Sequence, residues 1–135
     1  VDLSNLEVKE EKQAVAMQVV HPITRKPMFD EATKEPVEIV VLSADSSEAA
    51  NARQKIADKA LKARSQGRSP SAADVEEGGI EILAFCTKSW KHVVWEKAEL
   101  PYSRENAKMI YRKLPWLRQQ VDAFSADLNN FLGND

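Results

Sequence analysis

Apolar positions recur along this chain at two different periods. Residues 15–21 (VAMQVVH) and 37–42 (VEIVVL) are rich in β-branched residues and alternate. That alternation puts Val15, Met17 and Val19 on one face of a first strand, and Val37, Ile39 and Val41 on one face of a second. The intervening HPITRKPMFDEATKEP holds Pro22, Pro27 and Pro36 within fifteen residues, which excludes a helix and a central strand. The pattern predicts a β-hairpin over 14–43 with a long excursion and a short third strand at Met28–Phe29. Two strands alone are marginal in water, so their Val/Ile face has to lie on the helices that follow.

From residue 45 the period becomes helical. Asp45 with Glu48 three residues later resembles a capping box, and Gly67 suits a left-handed cap, which bounds an Ala-rich helix over 45–67. Its stripe is Ala49, Ala52, Ile56, Ala60 and Ala63 with Leu61 alongside, so it buries little by itself. A second, buried helix is expected over 70–92, with Ser69 or Ser71 as N-cap and Ile80, Ile82, Leu83, Ala84, Phe85 and Cys86 apolar on nearly every side. A buried strand has the same apolar run; Ala, Glu and Leu favour the helix. Gly78 and Gly79 each cost about 1 kcal/mol inside it. They mark a break or a close approach of the Ala-rich helix, and the reading favours close approach. Residues 91–102 form a connector. A C-terminal helix pair occupies 103–132, with Ser103 capping its first member and Pro115 opening the second. Leu117, Val121, Phe124, Leu128 and Phe131 stripe the last helix, and Gly133 ends it. The expected fold class is α+β, mainly α: an N-terminal β-hairpin packed on a bundle of about four helices, in one domain with residues 1–13 as a flexible arm.

Composition adds limits. With 135 residues and 15.1 kDa the chain supports one modest core. Nineteen basic against twenty-one acidic residues leave a net charge of −2, which excludes a globally basic nucleic-acid binder. The lone Cys86 cannot form an internal disulfide, so a reducing compartment is expected. No apolar run spans a bilayer, and the polar start VDLSNLEVKEEKQ reads as neither a secretory signal nor a transit peptide. The charge is laid out in blocks. Residues 1–50 hold five basic and ten acidic residues, whereas residues 51–69 hold six basic and one acidic. Such asymmetry suits intramolecular pairing or head-to-tail contact between copies.

Catalytic signatures are missing from the sequence. Glycines fall only at 67, 78, 79 and 133, so no phosphate-cradling loop is present, and no metal-ligand spacing occurs. No cofactor, no metal and no enzymatic activity are expected. Cys86 reads as a structural thiol, His92 as a packed or surface residue, His21 as part of a turn, and Glu76, Glu77 and Glu81 as a solvated face. Arg53, Lys55, Lys59, Lys62, Arg64 and Arg68 are the one nucleic-acid-like feature. They spread around their helix without interleaved aromatic residues, so a solvated helix or a surface for an acidic protein is favoured. Trp90, Trp95, Tyr102, Tyr111 and Trp116 gather in 27 residues; such side chains dominate cores when buried and interfaces when exposed. Candidate partner or self-association residues are Arg53, Lys55, Lys59, Lys62, Trp95, Tyr102 and Trp116.

The strings HPITRKPMFD, the DSSE helix start and YSRENAKMIYRKLPWLRQQVDAFSADLNNFL resemble the tail assembly chaperones of long-tailed, lambdoid bacteriophages. The likeness runs from about residue 17 to 132. A His-Pro-x-Thr turn matches His21, Pro22 and Thr24. A Ser-x-Glu-Asn-Ala helix matches Ser103, Glu105, Asn106 and Ala107. The closing segment matches Pro115, Trp116, Leu117, Arg118, Gln120, Val121 and Asp122, with Asn130 and Phe131. Arg25 stands where members often have Gly, so a different hairpin turn is expected here. The resemblance implies a holdase of the host cytoplasm that coats the tape measure protein during tail assembly and is absent from the mature virion. It also implies homo-oligomers, which the charge blocks allow as an open spiral, a frameshift-extended form of the same protein as partner, and contact with the tail tube protein. Neither nucleic acid nor membrane is an expected partner. The alternatives are a structural tail or connector subunit retained in the virion, and a small DNA-binding regulator using the basic helix.

Overall fold

The computed structural model describes residues 2–9 and 13–132. In it, β1 (Ala14–Gln18) and β2 (Glu38–Leu42) pair antiparallel, with Val15 opposite Val41 and Met17 opposite Ile39. Met17, Val19, Ile39 and Val41 are buried and Val15 and Val37 half-buried, so the alternating pattern selects the core face. The excursion folds back on itself through isolated bridges rather than a full strand: Val20 opposite Pro27 and Phe29 opposite Pro36. Met28 N–H donates to Val19 C=O (2.9 Å) and Val37 N–H donates to Met28 C=O (3.0 Å). A single 3-10 turn, Leu3–Leu6, lies in the expected arm.

The sheet has a third strand. β3 (Thr87–Lys91) pairs antiparallel with the far side of β2, making β2 central. The buried helix expected over 70–92 is therefore shorter: the first helix, α1 (Ser47–Ser65), is followed by α2 (Ala72–Cys86), and the chain turns extended at Thr87. The reason lies in both partners. β2 needs a second neighbour to be stable, and Thr87–Lys91 offers Thr87 and Trp90 to the core while Lys88 and Lys91 stay exposed. Ser71, of the two candidates, caps α2 in a reciprocal capping box with Asp74. Gly78 and Gly79 do not break the helix. A Cβ at Gly78 would lie 3.4 Å from Ile56 Cγ2, so α1 approaches closely there, whereas Gly79 faces open space.

Three details of α1 and the C-terminus differ from the expected pattern. Ser46, not Asp45, caps α1, its buried Oγ accepting from Ala49 N–H at 3.1 Å. Leu61 is 61% exposed instead of joining the stripe, of which only Ala49 and Ala52 are fully buried. The C-terminal pair is three helices: α3 (Arg104–Lys113), α4 (Pro115–Ala126) and the one-turn α5 (Asn129–Leu132). The last stripe breaks because Asp127 Oδ1 accepts from Asn129 N–H (3.0 Å) and Asn130 Nδ2 donates to Phe124 C=O (3.0 Å), local bonds that compete with helix. Leu128 is thereby turned outward, while Phe131 returns to the core edge-on to Phe124. At the other end of α1 the expected Gly67 cap forms: Gly67 has φ +81°, and the N–H groups of Gly67 and Arg68 reach Arg64 and Ala63 C=O. The Gly133 stop lies outside the described residues. The connector at 91–102 holds a small hairpin, β4 (Val94–Trp95) with β5 (Ala98–Glu99), whose turn residues Glu96 and Lys97 both take positive φ.

The architecture is α+β, mainly α. One face of the sheet lies on the helices, where the buried stripes of α2 (Ile80, Leu83, Ala84), α3 (Ala107, Ile110, Tyr111) and α4 (Leu117, Val121) meet Met17, Val19, Ile39 and Val41 in one cluster. Two side chains of α4 lock the sheet to the helices. Ser125 Oγ donates to Leu42 C=O (2.7 Å) and its C=O accepts from Ala44 N–H (2.9 Å), fixing the β2–α1 link. Gln120 acts as a surrogate strand: its Oε1 accepts from Val20 N–H (2.8 Å) and its Nε2 donates to Val20 C=O (3.0 Å). Gln120→Ala leaves both half-buried backbone groups of Val20 without that partner, and should lower stability by about 1–3 kcal/mol in urea unfolding. An unchanged midpoint would show that water replaces the amide without cost.

Candidate interaction surface

Most of the aromatic candidates are structural anchors. Tyr111, on α3, is fully buried; its hydroxyl lies 2.6 Å from Thr87 Oγ1, which donates to Leu83 C=O (2.9 Å). A hydroxyl has one proton, so Tyr111 is the donor of this pair. Burial also pushes its phenol well above the ordinary range, keeping it a neutral donor. Tyr102 donates to Thr87 C=O and stands edge-on to Trp90, with ring centroids 5.2 Å apart. Trp90 Nε1 donates to Leu100 C=O (2.8 Å). Trp116, half-buried at the start of α4, packs against the main core. Trp95, half-buried on β4, is the candidate aromatic outside that cluster. The anchors therefore belong mainly to the core.

The carboxylates of α2 do more than face solvent. Glu77 bonds Arg112 of α3, with Nε to Oε2 at 3.2 Å, and Glu76 bonds Arg118 of α4 at 3.1 Å. The Arg112 guanidinium holds the Glu77 carboxyl below its ordinary value of 4.5. His21 takes its expected turn role: Nδ1 accepts from Ile23 N–H (3.1 Å) and Thr24 N–H (3.3 Å). Arg25, in the same turn, has φ +63°, a conformation that glycine adopts without cost. His92 lies 2.9 Å from Glu35 and 3.9 Å from Asp30, tying the hairpin excursion to the end of β3. Cys86 is buried, and burial raises its thiol. Among the described residues, no group of three His, Cys, Asp or Glu side chains is placed to hold a metal, and no helix is long and apolar enough to cross a membrane.

The basic helix is where a surface remains. Arg53 is used internally, its guanidinium donating to Ala44 C=O at 3.0 Å. Lys55, Lys59 and Lys62 sit at i, i+4 and i+7, so they share one flank of α1, and all three are exposed. Among the described residues no ion pair joins residues 51–69 to the acidic first block; the pairs there run Lys88–Glu48, Lys108–Glu105, Arg112–Glu77 and Arg118–Glu76, with His92 between Asp30 and Glu35. α1 and α2 form a hairpin of opposite charge. α1 carries five cations and two carboxylates, while α2 carries four carboxylates and no cation. On the side of α2 next to α4, Val75, Gly79, Ile80 and Leu83 line a shallow slot of about 250 Å³, with Glu76, Arg118, Gln119 and Asp122 around it. Periodicity missed this slot because it is made by a glycine that has nothing opposite it. Side-chain size at Gly79 was its one signal.

Two measurements test these assignments. Thr87→Val strands the buried Tyr111 hydroxyl and should cost about 1–3 kcal/mol, Tyr111→Phe about 0.5–1.5 kcal/mol, and the double variant clearly less than their sum. Additive losses would mean the hydroxyls do not interact. Glu77 has its carboxyl lowered in the folded state, so its contribution is complete above the unfolded value and disappears as pH falls through the folded one. Glu77→Gln should therefore lower the melting temperature at neutral pH and converge with the parent in strong acid; a constant offset across that range would remove the ion pair from the account. No protein-family model matches the chain, and neither does any curated protein or solved structure.

Proposed function

We propose that this protein is a phage tail assembly chaperone that binds and solubilises the tape measure protein during tail morphogenesis in the host cytoplasm. It works by protein–protein contact and self-association rather than by transforming a substrate, and leaves before the virion is complete. The frameshift-extended form of the same protein and the tail tube protein are its further partners under this reading. One observation carries the proposal. Two of the stretches that carry the resemblance, the His21–Thr24 turn and Pro115–Asp122, are nearly a hundred residues apart, yet Gln120 clamps Val20 immediately before that turn. This contact joins them in one structural unit, which supports a resemblance running from about residue 17 to 132. The surface of α1 supports the same reading from another side. A holdase needs repeated, reversible contact, and α1 presents exposed cations and an exposed leucine on an arm held mainly by α2.

Co-expression with the tape measure protein encoded beside it should carry that protein into the soluble fraction and co-purify with it. A tape measure protein that stays insoluble would overturn the reading. So would this chain at stoichiometric level in purified virions, which is the result the structural-subunit alternative requires.

A further inference from the structure

We propose that Leu61 of one copy seats in the slot around Gly79 on a second copy, so that the α1–α2 hairpins stack. The contact rests on the self-association part of the reading above and not on the tape measure protein.

Leu61 is five residues from Ile56, the side chain that meets Gly78, and five residues turn a helix through roughly 140°. It therefore projects from the side of α1 turned away from α2, and it is 61% exposed. The slot lies on another side of the same hairpin, between α2 and α4. It is floored by the buried Ile80 and Leu83, rimmed by the 67%-exposed Val75, and opened by the missing side chain of Gly79. A single aliphatic knob entering a hole on a facing helix is the elementary contact of helix packing. Glycine is a poorer helix former than alanine, and among the described residues nothing comes within 4 Å of a Cβ at Gly79.

Charge selects the occupant. Leu61 stands on α1 between Asp58 and Arg64, three residues to either side, with Lys62 adjacent, and α1 as a whole carries five cations against two carboxylates, whereas the slot belongs to the helix with Asp74, Glu76, Glu77 and Glu81. Asp122 adds to its rim, and Arg118 there is already bonded to Glu76. A second copy of this chain therefore brings both the apolar knob and the complementary charge. Knob and slot are different patches, so the contact is heterologous and each copy keeps a free knob and a free slot.

The test is sedimentation, in low salt, of the parent chain, three single variants and one mixture. Leu61→Ser removes the knob and Gly79→Leu fills the slot. Each variant alone should weaken self-association by about thirtyfold, the loss of one hot-spot anchor. A Cβ at Gly79 meets no atom within 4 Å and leucine is the stronger helix former, so the unfolding midpoint of Gly79→Leu should stay at or above the parent value. Val75→Arg, a cation on the rim, probes the same slot independently and should act alike. Mixed in equal amounts, Leu61→Ser and Gly79→Leu retain one good junction between them and should form dimers and nothing larger. The proposal is overturned if the parent chain stays monomeric, if either variant associates like the parent, or if the mixture stays monomeric. A failure here leaves tape-measure co-purification unaffected, and a failure of that experiment leaves the stacking contact standing.

Discussion

Thr87 has each of its polar groups engaged in the buried junction where α2 becomes β3. Its N–H reaches Ala84 C=O, its hydroxyl donates to Leu83 C=O and accepts from Tyr111, and its C=O accepts from Tyr102. The rest of the fold hangs on this point. A helix that continued past Cys86 would leave β2 with one neighbour, and a two-stranded ribbon does not hold a core in water. Stopping there gives β2 its second neighbour, brings Trp90 opposite Ile39, and draws α3 onto the sheet through Tyr111. Polar groups withdrawn from water must be matched, and here one residue matches groups from α2, α3 and the segment before α3.

How much of this was legible in the chain depends on the range of the interaction concerned. The strand faces, the Gly67 cap, the Ser103 and Ser71 caps and the Pro115 start are encoded within a few residues, and the pattern reads them directly. The stop at Thr87 is not local. TKSWK has the propensities of a strand, but the run before it is as apolar as a buried helix, and the choice is made by β2, nearly fifty residues earlier. Leu128 failed for a different reason. It sits on a perfect helical stripe, yet Asp127, Asn129 and Asn130 supply short-range bonds that end the helix first.

The same distinction separates the residues of the fold from those of the surface. Several of the motif positions have structural roles: Ser103 caps, Ala107 and Val121 are fully buried, Arg118 pairs with Glu76, Gln120 clamps Val20, Asn130 donates to Phe124 C=O and Phe131 is buried. Of the candidate contact residues, Tyr102, Trp116 and Arg53 are drawn into such roles, Trp95 is half-buried outside the main core, and Lys55, Lys59 and Lys62 face outward.

The two adjacent glycines of α2 show how packing separates identical residues. Gly78 lets Ile56 come within van der Waals distance, so its lost helix propensity is offset by closer packing of α1 on α2. Gly79, one residue on and about 100° around the helix, has no such neighbour among the described residues. α1 packs on α2 through small side chains: Ala49 shares a buried cluster with Cys86 and Ile82, and Ile56 lies over Gly78. Among the described residues no ion pair joins the two helices, and all five cations of α1 stay exposed. The hairpin is therefore held by close approach of small residues, which leaves the charge of α1 in solvent.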